Sequence, residues 1–149
     1  MDRSVAVINV DSCVKGDLVV PNASPILKDV ILAALHAVPS VMDPGLSYYE
    51  SLSAWLARDP ESQGSSVEDS VRILGSGSDH DTFAFYAGVP ALFYQFKPDP
   101  QKYPGISGYP TYHTGFETFH LMDKIIDPGF LLHRSCAQLA THALLQVLG

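Results

Sequence analysis

From Val5 to Val10, in the stretch "SVAVINVD", apolar and β-branched residues run almost without a break. Such a run reads as a strand buried on both faces, as parallel sheets require. After a turn-rich stretch, Ser24 is placed to cap a helix with Pro25 at its first position. Ile26, Leu27, Val30, Ile31, Ala34, Leu35 and Val38 then recur at helical spacing and form a face that covers the sheet. A second helix is announced by "SYYE", where Ser47 and Glu50 make a capping box ahead of Leu52, Trp55 and Leu56. It should end before Pro60. The polar stretch Arg58 to Ser70 lacks apolar periodicity and reads as a surface loop. Next comes a strand–helix–strand pattern: a short strand Val71 to Leu74, a glycine turn, a helix from about Asp79 to Ala87 stopped by Gly88, and a strand Ala91 to Phe96. Prolines and glycines between Lys97 and Thr111 imply a long loop that delivers Tyr112, His113 and Thr114. Past Pro128, Leu132, Cys136, Leu139, Ala140, Ala143, Leu144 and Val147 share one face of a closing helix.

Three strands and four helices give an α/β fold: part of a doubly wound, mostly parallel sheet flanked by helices. The first buried strand has nothing before it to supply a neighbour, so a preceding portion of the fold is expected elsewhere. The chain has 149 residues, 46% of them hydrophobic, enough to bury the core of one domain. Nine basic against sixteen acidic residues leave a net charge of -7, which disfavours nucleic acid as a partner because phosphate binding needs clustered Lys and Arg. Apolar runs fall short of a bilayer span, and the opening "MDRSVAVINVD" lacks a signal-peptide pattern. Cys13 and Cys136 are expected to be free, core-facing thiols. The triplet Asn22 to Ser24 fits a glycosylation sequon.

Chemistry concentrates at three places. Asp11 lies at the carboxyl end of the first strand, where open α/β sheets bind ligands; capping the following turn is an equal alternative. "GSGSD", Gly75 to Asp79, lacks the Lys-Ser/Thr of a phosphate loop, the spacing of a dinucleotide fingerprint and the G-x-S-x-G of a serine hydrolase. It reads as a substrate-facing turn or as a plain strand-to-helix turn. His113 sits in a loop beside Tyr112, which favours ligand or catalytic duty over the helix-surface roles assigned to His36, His133 and His142. His80 and His120 lie near helix starts, where capping or solvent contact is the default.

Taken in order, "INVDS", "LGSGSDHDTF", "GYPTYHTGFETF" and "DKIIDPGF" resemble the second half of the catalytic domain of the M28 zinc peptidases. The similarity runs from Val5 onward and points to the glutamate carboxypeptidase II-like branch, which includes N-acetylated alpha-linked acidic dipeptidase-like proteins and the transferrin receptor ectodomain. The resemblance implies a centre of two zinc ions, with Asp11 a ligand of one and His113 a ligand of the other. Tyr112 then donates a hydrogen bond to the tetrahedral intermediate, and Ser12, Ser76, Gly77 and Ser78 line the substrate cleft. It also implies that the remaining zinc ligands and the catalytic glutamate come from segments before Val5, and that a helical dimerisation domain follows the catalytic domain. Residues 1–149 would thus be a partial catalytic domain, inactive alone, of a homodimeric peptidase acting on peptides outside the cell or from a membrane anchor. The alternative on the same scaffold is a non-enzymatic, transferrin receptor-like interaction module. Phe93 and Gln95 stand where acidic-dipeptide-cleaving members carry arginines, which argues for a broader substrate preference because a desolvated carboxylate needs a paired charge.

Overall fold

The computed structural model describes residues 4–149. The opening three residues of the stretch searched for a signal peptide lie outside it. Three strands form one sheet in the order β1-β3-β2: β1 (Val7–Val10), β2 (Leu18–Ala23) and β3 (Ala91–Lys97). β1 runs parallel to β3, pairing Val7 with Ala91 and Asn9 with Phe93, while β2 runs antiparallel, pairing Leu18 with Lys97 and Ala23 with Leu92. The fold is α/β as expected, with a mixed sheet.

The sequence pattern places β1 and β3 correctly but misses β2, since Pro21 and Asn22 sit inside it. Proline is tolerated here because β2 is an outer strand and the lost donor interrupts no central ladder. The expected strand Val71 to Leu74 reduces to a single bridge, Arg72 alongside Asn22, with hydrogen bonds from Arg72 N to Pro21 O (3.2 Å) and from Ala23 N to Arg72 O (3.0 Å). Asn22 is buried in this arrangement, so the sequon it opens is not a surface site.

Helices α1 (Lys28–Ala37), α2 (Tyr48–Arg58) and α5 (Leu131–Leu148) form one core with the sheet; shorter pieces are α3 (Val67–Ser70) and α4 (Phe119–Leu121). Ile31, Ala34 and Leu35 of α1 pack with Leu132, Cys136, Leu139 and Ala143 of α5 and with Leu92, Tyr94 and Phe96 of β3. Alternation along β3 therefore sends its even positions to the helices and Phe93, Gln95 and Lys97 to the opposite face. The Tyr94 hydroxyl donates to the Cys136 carbonyl at 2.5 Å, tying β3 to α5; burial pushes its phenol well above the ordinary tyrosine range.

Helix starts show which local signals act as read. The α2 capping box forms: Ser47 Oγ accepts from Glu50 N at 3.2 Å, and Glu50 Oε2 accepts from Ser47 N at 2.7 Å. Ser24 does not cap. Pro25 opens a 3-10 turn, Pro25–Leu27, and Ser24 instead clips β2 to β3, accepting from Ala91 N at 3.0 Å and donating its own N–H to Ala91 O at 2.8 Å. The polar stretch after α2 contains α3 with its own capping box, Ser66 and Asp69. The helix expected from about Asp79 to Ala87 is a π-helical turn, Thr82–Tyr86. At α5, the buried Asp127 carboxylate accepts from Leu132 N and His133 N, both at 3.0 Å, and contacts His133 Nδ1 at 2.7 Å.

The cysteines are not free thiols. Cys13 and Cys136 form a disulfide across 123 residues of sequence, with Cα atoms 5.9 Å apart, within the range such a bond requires. Sequence spacing carried no sign of this, because only the packing of α5 beside β1 brings the two together.

Candidate active site

Asp11 leaves the carboxyl end of β1 and is half-buried. One carboxylate oxygen, Oδ1, accepts from both the amide and the hydroxyl of Ser12, each at 2.6 Å. Burial alone would raise the Asp11 pKa. Hydrogen bonds from Ser12, one from the Ser78 hydroxyl and the charge of Lys15 outweigh it and hold the carboxyl below its ordinary value. Asp11 is thus an oriented anion at neutral pH. Of the two readings left open from sequence, the structure shows the turn: the carboxylate organises the chain after β1 by accepting twice from Ser12.

The segment following Asp11 is held against the end of β3. Phe96 N donates to Ser12 O at 3.3 Å, and Asp17 accepts from Asp99 N at 3.0 Å and from Lys102 Nζ at 2.9 Å. Gly16 sits at the crossing: a Cβ there would lie 2.0 Å from Pro98 N, so only glycine lets the two backbones approach so closely.

Ser76, Gly77 and Ser78 occupy the turn leading into the π-helical segment. Gly77 adopts a φ of 104°, and its N–H donates to Asp81 Oδ2 at 2.8 Å. Ser78 is half-buried, its Oγ accepting from Asn9 Nδ2 at 2.7 Å, while Ser76 and Gly77 are solvent-exposed. Behind the turn lies His80, 1% exposed. Its Nδ1 is 2.9 Å from Asn9 Nδ2, its Nε2 is 2.9 Å from the Gly75 carbonyl, and its ring stacks on Phe93 at 5.0 Å. The expectation of capping or solvent contact for His80 is therefore wrong. The missed signal was Asn9, a polar residue breaking an otherwise apolar strand.

His113 and Tyr112 share an exposed loop, their rings stacked at 3.9 Å. His113 takes a φ of 60°, uncommon for a side-chain-bearing residue. Glu117 stabilises this conformation: it accepts from His113 N at 2.8 Å and from the Tyr109 hydroxyl. Those two hydrogen bonds, Tyr109 first, depress the Glu117 carboxyl below its usual value, aided by the charges of His113 and Lys15. Glu117 escaped sequence reasoning because "GFETF" carries no periodicity that distinguishes a loop clamp from a solvated acid.

Lys15 joins the two halves of the site. Its ammonium lies 3.7 Å from the Tyr112 ring centroid, while its charge bears on both Asp11 and Glu117. Beside it an open cleft of about 510 Å³ is lined by Lys15, Gln95, Lys97, Tyr109 and Tyr112. Two lysines thus flank Gln95 in this cleft, while Ser12, Ser76, Gly77 and Ser78 are not among its lining residues.

Among the described residues, no group of three or more His, Cys, Asp or Glu is disposed to hold a metal ion. Zinc sites ordinarily take three or four protein donors, so Asp11 and His113 do not make a complete one on this chain.

No family model matches the sequence. Individual proteins do. Aminopeptidase NAALADL1 of Mus musculus is 32% identical over 147 residues, 98% of this chain and 19% of the mouse protein. Probable glutamate carboxypeptidase LAMP1 of Arabidopsis thaliana is 34% identical over 136 residues, covering 91% of this chain and 17% of the plant protein. The glutamate carboxypeptidase 2 homolog of Caenorhabditis elegans is 31% identical over 128 residues, or 81% of this chain and 16% of that protein. The chain belongs to the glutamate carboxypeptidase II-like peptidases. It spans about a fifth of the length of these relatives. Similarity to glutamate carboxypeptidase-like proteins thus includes the segments that carry Asp11, the glycine turn and the Tyr112–His113 loop.

Proposed function

We propose that this chain is part of the catalytic domain of a binuclear zinc exopeptidase of the M28 type. In that reading Asp11 and His113 each hold one zinc ion, and the other donors come from a part of the longer protein that these residues do not include. When bound, the metal pair would supply the activated water and the polarisation of the scissile carbonyl. The residues of this chain have narrower tasks. Ser12 fixes the Asp11 carboxylate, and the Tyr112 hydroxyl donates to the oxyanion as it forms. Ser12 and the Ser76–Ser78 turn wall the substrate cleft.

The observation that carries the reading is the double grip of Ser12 on Asp11 Oδ1, through its amide and its hydroxyl, each at 2.6 Å. A carboxylate held by one oxygen at the carboxyl end of a parallel strand is oriented to coordinate with the other. A receptor-like module would need neither this carboxylate nor a histidine in a left-handed loop conformation, and the similar proteins bear the names of peptidases. Peptides are the proposed substrate class and homodimerisation the proposed state of the longer protein. The disulfide supports an oxidising location, extracellular or on a membrane-anchored ectodomain. Among the described residues, no helix is long and apolar enough to cross a membrane.

The test is to assay the purified 149-residue protein beside a chimera in which residues 5–149 replace the matching segment of mouse aminopeptidase NAALADL1. The chimera is expected to hydrolyse peptides with chelator sensitivity, and the isolated chain to show no such turnover. Chelator-sensitive activity of the isolated chain, or an inactive but folded chimera, would overturn the proposal.

A further inference from the structure

We infer that His80 is a positioning residue, locking the Gly75–Ser78 turn to β1 through Asn9 and so fixing the place of the Ser78 hydroxyl. The hydrogen-bond directions follow from one fixed point. His80 Nε2 faces the Gly75 carbonyl at 2.9 Å, and a carbonyl only accepts, so Nε2 carries the proton. In the neutral ring Nδ1 is then a bare acceptor that needs a donor. Asn9 Nδ2 lies 2.9 Å from Nδ1 and donates to it, an amide orientation that also serves Ser78. The second hydrogen of that amide goes to Ser78 Oγ at 2.7 Å. The chain of contacts runs from the Gly75 carbonyl through His80 and Asn9 to the Ser78 hydroxyl.

Burial makes the network directional. Asn9 and His80 are both buried, so each unmet donor or acceptor would carry the full cost of desolvation. Asp81 Oδ1 lies 3.3 Å from His80 Nε2, yet forms no hydrogen bond with it, leaving the Nε2 proton to Gly75. Stacking on Phe93, the register partner of Asn9, fixes the ring plane. Phenylalanine at position 80 could keep that stacking while losing both polar links, which separates positioning from packing.

The consequence for a reaction rests on the peptidase proposal; the positioning itself does not. Nitrogen-15 NMR of the 149-residue protein should show a single neutral His80 tautomer with the proton on Nε2. In His80→Phe, exchange of the Gly77 and Asp81 amides should accelerate about tenfold, with the β3 amides of Leu92 and Tyr94 unchanged. His80→Gln, whose amide reaches the Nε2 position, should restore part of the Gly77 protection. A different tautomer, or unchanged Gly77 exchange in His80→Phe, would overturn the inference, as would equal acceleration across β3 in both variants. In the chimera, His80→Phe should lower kcat/KM by about tenfold or more. An inactive unsubstituted chimera counts against the peptidase proposal, while the exchange data judge the positioning independently.

Discussion

At the scale of single residues, Asp127 shows how a buried acid is made stable. Burial pushes its carboxyl up, but the His133 and Leu132 amides and the His133 side chain outweigh that and hold it below the ordinary aspartate value. A depressed folded-state pKa means that the contribution to stability is present above the unfolded value near ~3.9 and is lost as pH falls through the folded value. Asp127→Ala should therefore destabilise the protein at pH 7 by about 1–2 kcal/mol, the usual worth of such a cap, and the gap from wild type should narrow below about pH 4. Urea denaturation at the two pH values checks this; a gap that widens in acid would contradict it. "DKIIDPGF" identified this aspartate only as part of a family pattern, because its capping role depends on a turn in which Phe130 takes a φ of 56°. His80 and Glu117 were illegible for a related reason: each acts on a backbone group brought near by a turn, and no side-chain periodicity records such contacts.

Among elements, those whose signals are local were the most readable. β1, β3, α2 and α5 follow from apolar pattern and capping chemistry, and each forms within a residue or two of its expected place. β2 was hidden because its strand character comes from partners: it pairs with β3, 73 positions along the chain at the Pro21–Tyr94 step. The segment Val71–Leu74 failed in the opposite way, with suitable residues but only one bridge to join. The disulfide is likewise a contact between elements, joining the turn after β1 to α5. Closing so long a loop should contribute about 2–4 kcal/mol, mainly by restricting the unfolded chain. Thermal unfolding with and without reductant, and of the double variant Cys13→Ser/Cys136→Ser, should show that loss in both; equal stability of all three would contradict it.

The whole molecule exposes more apolar surface than its core requires. Ile26, Ile73 and Phe85 surround a groove of about 290 Å³, and Ile73 is 82% exposed. Patches of this kind mark contact surfaces, and the relatives are proteins about five times as long as the matched segment. The site has the same character at this scale: Asp11 and His113 are each oriented, by Ser12 and by Glu117, without a third donor in a cluster among the described residues. Asp11 and His113 stand out in the sequence because each sits in a distinctive motif; the lysines of the cleft do not, since Lys15 and Lys97 meet only across the fold. The most direct test of the account is the zinc content of the purified chimera and of its Asp11→Ala and His113→Ala variants, measured by elemental analysis after removal of loosely bound metal. Two zinc ions per chimeric chain, with each substitution lowering occupancy and reducing turnover at least a hundredfold, on the order expected for loss of a metal ligand, is the predicted result. Full zinc occupancy and undiminished turnover in both variants would contradict it.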